Sequence, residues 1–359
     1  MKGLLKAAVA AIALGASVAS ADVRLQGAGA TFPQPLYERW VAEFQKLHPD
    51  IKIDYQGIGS GGGIKSITQK TVDFAGSDAP LSKSEIEGLG GADKIVEVPS
   101  VSGGVVPAYN IPGVKAQLNF SGPVLAGIYM GTVNKWNDPK ITALNPGVQL
   151  PALAITPVYR TDGSGTNYVF TNYLATQSPE FKNSIGTGKE VKWPLGQGGK
   201  GTAGVAQVIQ QTNGAIGYVE QNYADKNHIL YGSVQNKSGK FVKASPESVS
   251  AAGEGAVGAM KGNVVTANIW NQTGDNAYPI ASFTYLIVYK DLGNVKTREQ
   301  AQALADFLWW ATHDGEKLAS ELDYAPLSPN VLKRVEDALK MVNYKGQSVS
   351  VGGQAVGLR

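Results

Sequence analysis

Three short Gly/Ser loops hold the residues of this 359-residue chain best suited to chemistry: GAGATFP at 27–33, GIGSGGG at 57–63 and RTDGSGT at 160–166. Each follows a strand-like run (VRLQ, IKIDYQ, AITPVY) and precedes a helical pattern. The N–H groups of a first helical turn point outward, and the helix dipole favours negative charge there. Strand, Gly-rich turn and helix start therefore make a cradle for a small anion. Arg160 opens the third loop, and Asp162 two residues on can orient its planar fork for parallel bonds to an oxyanion. The plainer reading of the same two residues is a surface ion pair, which is worth little. Asp78, in VDFAGSD, is the odd member. A carboxylate repels an anion unless the ligand brings a hydroxyl proton for it to accept. Monohydrogen phosphate carries such a proton; sulfate at neutral pH does not.

Hydrolytic, nucleotide and metal chemistry find less support. A nucleophile elbow needs G-x-S-x-G, but Ile58 stands two before Ser60 and Asp162 two before Ser164. In GSGGGIKS at 59–66, Ile64 separates the last Gly from Lys65, and in GQGGKGT Gly201 follows the Lys where a P-loop needs Ser or Thr. His48, His228 and His313 sit in KLHPD, KNHIL and WWATHDG, at helix ends or in a polar loop, with no HExxH or spaced acidic partner. No metal site, cofactor or catalytic residue is expected. Trp309, Trp310 and the tyrosines read as packing.

The elements that must position the loops alternate between strand and helix. PQPLYERWVAEFQKLH at 33–48 places Leu36, Trp40, Phe44 and Leu47 on one stripe, with Pro33 suited to the first turn. Strands are expected at 51–56, 72–78, 154–160, 214–220 and 279–290, and helices at 64–70, from Asn167, and over AGVAQVIQQT. VPSVSGGVVPAYNIPG at 98–113 is β-rich and broken by Pro and Gly. Thr297 with Gln300 forms a capping box before a helix that puts Leu304, Phe307, Leu308 and Ala311 on one face. The polar stretch near 235–275 shows no readable pattern. This alternation predicts an α/β protein of mixed sheets, with ligands outside the carboxyl ends of the strands.

Composition sets limits. Lys2 and Lys6, an apolar run from Ala7 to Val18 and Ala19-Ser20-Ala21 read as a secretory signal peptide over 1–21. Without Lys2 and Lys6 the 32 basic residues become 30 against 29 acidic, too balanced for a nucleic-acid binder. With no cysteine there is no disulfide, thiol chemistry or lipid attachment.

In order, GAGATFP, YQGIGSGGG, VDFAGSDAPL, RTDGSGT with VFTNYL, KWPLGQGGKG and GAIGYVE resemble the periplasmic phosphate-binding proteins of bacterial ABC phosphate importers. NIPG, NKWND, NPG and LDYAPL extend the resemblance over essentially the whole chain after the leader. It implies a two-lobed periplasmic-binding-protein fold with the ligand cleft at the hinge, lobe I at 22–106 plus 279–359 and lobe II at 107–278. It implies a non-enzymatic, periplasmic, monomeric receptor that takes inorganic phosphate, with arsenate competing, and passes it to membrane permease subunits. A secreted phosphatase, or an extracellular phosphate scavenger or adhesin of the same fold, is the alternative. By the same resemblance Thr31 and Phe32 donate from a helix start, Ser60 donates through amide and hydroxyl, and Asp78 accepts the phosphate proton. Arg160, steadied by Asp162, donates two bonds, and Ser164, Gly165 and Thr166 complete the cage. Gly61 stands where many relatives carry another Ser.

Overall fold

The computed structural model describes residues 22–352 and the short strand Gln354–Ala355. The leader expected at 1–21 lies outside the described residues. The strands up to residue 289 are β1 Val23–Gly29, β2 Ile51–Gly57, β3 Phe74–Ser77, β4 Ile95–Asn110, β5 Asn119–Phe120, β6 Thr156–Arg160, β7 Gln197–Gly199, β8 Ala215–Glu220, β9 Leu230–Tyr231, β10 Ser233–Gln235, β11 Phe241–Val242 and β12 Ala281–Tyr289. Nine of them form one sheet in the order β2-β1-β3-β12-β4-β8-β6-β7, with β9 added to β4. β1 is parallel to β2 and β3, and β6 is parallel to β7 and β8.

β4 ties the two halves together. Through Gly104 it runs antiparallel to β12, and from Val105 onward antiparallel to β8. Every residue but Asn110 is buried, as expected of a strand covered on both faces. The prolines and glycines that suggested interruptions are accommodated in one 16-residue strand. At Pro99 the ladder shifts: Tyr285 pairs with Pro99 and Thr284 with Val101, so Ser100 is an extra residue. A proline has no N–H to give a ladder, and a bulge is one of the few sheet positions that tolerates it.

Helix Gln34–Leu47 follows β1 and buries Leu36, Tyr37, Trp40 and Phe44. Tyr37 joins the expected stripe, whereas Leu47 is 63% exposed because it closes the last turn. Helix Ser60–Thr68 begins four residues before the expected 64–70, since Gly59 turns the chain at φ +83° and frees Ser60 to open it. That helix lies against β1 so closely that a Cβ at Gly63 would come within 2.5 Å of the Gly29 Cα. Helices Gly165–Gln177 and Gly201–Gln211 follow β6 and β7. Helix Arg298–Thr312 carries the expected Thr297–Gln300 capping box and buries Leu304, Phe307, Leu308 and Ala311. The unread polar stretch holds β10 and β11, which form a small sheet with β5, and the helix Pro246–Gly253.

Each half has its own aromatic cluster. Tyr37, Trp40, Tyr55, Phe74, Phe44 and Phe307 pack under β1–β3, and Tyr129, Phe170, Trp193 and Tyr218 pack under β6 and β8. Such aromatic packing makes rigid platforms for the loops above it. Among the described residues no helix is long and apolar enough to cross a membrane.

Candidate anion-binding site

The ends of β1, β2, β3 and β6 bring the three Gly/Ser loops together, as the strand–loop–helix order requires. Thr31 and Phe32 lie between β1 and its helix. Tyr324 Oη donates to the Phe32 carbonyl at 2.6 Å, and Tyr223 Oη donates to the Thr31 carbonyl at 2.9 Å. The backbone N–H groups of Thr31, Phe32, Ser60 and Thr166 have no protein acceptor among the described residues. They are donors of the kind a helix start presents to an anion.

Contacts between the halves are direct. The Gly165 N–H donates to Ser60 Oγ at 3.1 Å, and the Gly61 N–H donates to the Gly163 carbonyl at 2.8 Å. Thr31 Oγ1 and Thr202 Oγ1 are 3.0 Å apart, and the Thr202 N–H donates to Thr31 Oγ1 at 3.2 Å. At the rim Lys189 Nζ stands 2.6 Å from Glu85 Oε1.

Arg160 is the buried cation of the site. Its Nε donates to Asp162 Oδ1 at 2.8 Å and NH2 to Asp162 Oδ2 at 2.5 Å, so the fork expected to face an oxyanion is here turned onto the carboxylate expected only to steady it. NH1 donates to Thr166 Oγ1 at 3.3 Å and Thr202 Oγ1 at 3.2 Å. Four of its five N–H bonds are therefore engaged within the protein. Burial opposes the guanidinium charge, but the Asp162 bond and charge outweigh it and raise its pKa. Burial likewise opposes the Asp162 charge, and Arg160 outweighs it and holds that carboxyl low. The Gly201 N–H adds a bond to Asp162 Oδ1 at 2.9 Å.

Asp78 is 1% exposed. Its Oδ1 accepts the Thr284 hydroxyl at 2.8 Å, and its Oδ2 accepts from Ser60 Oγ at 3.4 Å. Burial, aided by the negative charge of Glu220, pushes it up to about 8, against the Thr284 bond and the Arg160 charge. Ser60 Oγ also accepts from the Asp78 N–H at 3.2 Å, so this hydroxyl serves the protein, and the Ser60 amide is its unused donor. Ser164 caps the helix that follows, its Oγ accepting the Asn167 N–H at 3.0 Å. The Thr166 hydroxyl donates to Glu220 Oε1 at 2.6 Å. Among the described residues no group of three or more metal-binding side chains is assembled.

All nine residues singled out in the sequence meet here, together with four that sequence reasoning missed: Thr202, Glu220, Thr284 and Tyr218, whose Oη accepts the Arg160 N–H at 3.0 Å. Thr202 ends GQGGKGT, weighed only as a nucleotide loop. Glu220 and Tyr218 end GAIGYVE, where a lone acid and a tyrosine on an apolar strand give no pattern. Thr284 lies within β12, whose continuous burial from Ala281 to Val288 hides which side chains turn towards a site.

A model of the PBP superfamily domain matches residues 16–314. The chain is 43% identical over 318 residues to the phosphate-binding protein PstS of Pasteurella multocida, covering 87% of this chain and 88% of that one. Its fold resembles the phosphate binding protein of Stenotrophomonas maltophilia (TM-score 0.67, 19% identity, 89% and 95% of the two chains). It also resembles an ABC-type phosphate transport receptor from Vibrio cholerae (TM-score 0.55, 16% identity, 84% and 100%). The chain belongs to the PBP superfamily and, within it, to the family of the PstS phosphate-binding proteins.

Proposed function

We propose that this protein is an exported receptor for inorganic phosphate that surrenders its ligand to the membrane permease of an ABC importer and catalyses nothing. The observation that carries this reading is the pairing of a buried, Asp162-held arginine with Asp78, a proton acceptor, inside a cage of unused amides. A tetrahedral oxyanion fits the arginine and the amides; the acceptor demands that it carry a hydroxyl. Family membership supports the same ligand.

The N–H groups of Thr31, Phe32, Ser60 and Thr166 would hold the phosphate oxygens, with Ser164 and Gly165 shaping the wall. Arg160 would turn its remaining N–H to the ligand and exchange its threonine contacts for phosphate oxygens. Residues 22–106 with 279–359 would act as one lobe and 107–278 as the other, hinged where β4 passes between ladders. Phosphate would then stabilise the closed form, since only that form makes contacts from both sides. The expected setting is the periplasm, and the expected state a monomer.

Equilibrium dialysis with phosphate, arsenate and sulfate tests the reading. At pH 9, above the value of about 8 to which burial pushes Asp78, phosphate should bind, arsenate should compete and sulfate should not. Equal binding of sulfate, or release of phosphate from esters by the purified protein, overturns it.

A further inference from the structure

The site holds more negative charge than its cation can balance. Asp78, Asp162 and Glu220 surround Arg160, which is the only cation hydrogen-bonded to this cluster among the described residues. Lys189 is engaged at the rim by Glu85. A dianion entering the cage adds two further negative charges, so protons must accompany it or be held there already. The question is which atom has room for one.

Asp162 does not: Arg160 takes both of its oxygens, and Gly201 adds a third bond. Asp78 receives the Thr284 and Ser60 hydroxyls, one on each oxygen. Glu220 differs. Its Oε1 accepts the Thr166 hydroxyl, while its Oε2 is buried with no hydrogen-bond partner among the described residues. A buried carboxylate oxygen without a donor is the least costly place in this cluster to add a proton.

We propose that Glu220 is the positioning and proton-holding residue of this site. When a dianionic ligand enters, one proton from solvent bonds to Glu220 Oε2 and makes the carboxylate neutral. Oε1 meanwhile keeps the Thr166 hydroxyl and, through it, the orientation of Arg160. One O–H bond forms, the buffer acid gives up the same proton, and nothing is oxidised or reduced. This rests on the phosphate reading above.

The groups facing Glu220 are Arg160 on β6, Thr166 and Thr202 at two helix starts, Asp78 beyond β3, Tyr223 on the helix Gln221–Lys226, and Tyr324. Burial pushes Glu220 up, against the Thr166 bond, the Arg160 charge and the nearby Thr202 hydroxyl. The negative charge of Glu220 in turn helps to raise Asp78.

Calorimetric titration with inorganic phosphate near pH 8.5, in buffers of different ionisation enthalpy, counts the protons. Phosphate is already a dianion there, and wild type should take up on the order of one proton per phosphate bound. Glu220→Gln keeps an acceptor for Thr166 but cannot hold the proton; its uptake should fall by at least about half. A Gln variant that binds with full uptake overturns the assignment, as does wild type binding with no uptake. If circular dichroism finds the variant unfolded, infrared difference spectra of wild type decide. Phosphate must raise a protonated-carboxyl C=O band, and a spectrum without one overturns the proposal. Wild type that binds no phosphate in dialysis overturns the phosphate reading and this inference with it; binding with the wrong proton count overturns this inference alone.

Discussion

Gly165 and Ser60 lie 105 positions apart in the sequence and touch through an N–H···Oγ bond of 3.1 Å. A Cβ at residue 165 would come within 2.5 Å of that oxygen and 2.6 Å of the Asp78 carboxylate. Distance, not backbone angle, makes this position a glycine. The two halves of the site meet here with no room for a methyl group.

Gly165→Ala should therefore fold but close poorly. Phosphate affinity should drop by at least about a hundredfold, some 2.7 kcal/mol, because the bound form needs the contact the methyl forbids. Titration calorimetry reads the loss, and small-angle scattering should show less compaction on adding phosphate. Binding within threefold of wild type would mean that the loops part easily and that closure does not depend on this contact.

Arg160→Ala removes the buried cation and leaves Asp162 and Glu220 without it. Charge-assisted bonds in a dry site are worth roughly 1.5–3 kcal/mol each, so a loss of about a hundredfold or more in phosphate affinity is expected. Arg160→Lys should recover little, since an ammonium cannot span both Asp162 oxygens and the threonine hydroxyls. Dialysis of both variants checks this; near-normal binding by the lysine variant would reduce the fork to a point charge.

Asp78 links selectivity to pH. Burial first, then the Glu220 charge, pushes its carboxyl up to about 8. Below that pH it keeps a proton and can donate to sulfate; above it, the charged form repels any oxyanion that brings no hydrogen. Sulfate binding by wild type should therefore weaken as pH rises from about 6 to 9, and the slope should shrink in Asp78→Asn. Sulfate competition across that range is the measurement. Parallel slopes would remove Asp78 from selectivity.

Glu97 on β4 is a buried acid outside the site. Its Oε1 accepts the Leu81 N–H at 2.9 Å and its Oε2 has no hydrogen-bond partner among the described residues. Burial pushes it up to about 8. Between the unfolded value near 4.5 and 8 the native state holds a proton that the unfolded chain has released, so its contribution to stability is lost as pH rises through that window. Glu97→Gln keeps the acceptor and never ionises. It should lose less stability than wild type between about pH 5 and 8.5, by on the order of a few kcal/mol. Urea unfolding across the range decides, and parallel curves would clear Glu97.

The sequence exposed the site where chemistry coincides with backbone demands. Gly59, Ser60, Arg160, Asp162 and Gly165 lie in loops too polar and too rich in glycine to serve as packing elements. It hid the site where a polar side chain rides on a buried strand or helix start. Thr284 looks like any other residue of an apolar run, and Glu220 like the polar end of a strand. The rim pair of Glu85 and Lys189 joins segments 104 residues apart, and nothing local to either announces it. The fold class was legible from alternation. The passage of β4 through both ladders was not, because its glycines and prolines imitate turns, and only the partner strands reveal that Pro99 sits at a bulge.

The bulge at Ser100 has a consequence for inheritance. On one side of it β4 carries Glu97 and Val98; across from it β12 aims Thr284 at Asp78. Side chains alternate along a strand, so the extra residue sets which of them face inward on either side. An in-frame loss of the Ser100 codon would delete no ligand contact. It would close the ladder with Pro99 and Val101 still opposite Tyr285 and Thr284, but it would force Pro99 into regular pairing and remove the Ser100 hydroxyl that meets Tyr37 Oη at 2.6 Å and donates to the Thr284 carbonyl at 3.2 Å. The one residue of this stretch that pairs with nothing on β12 is the one that lets a proline stay in the strand.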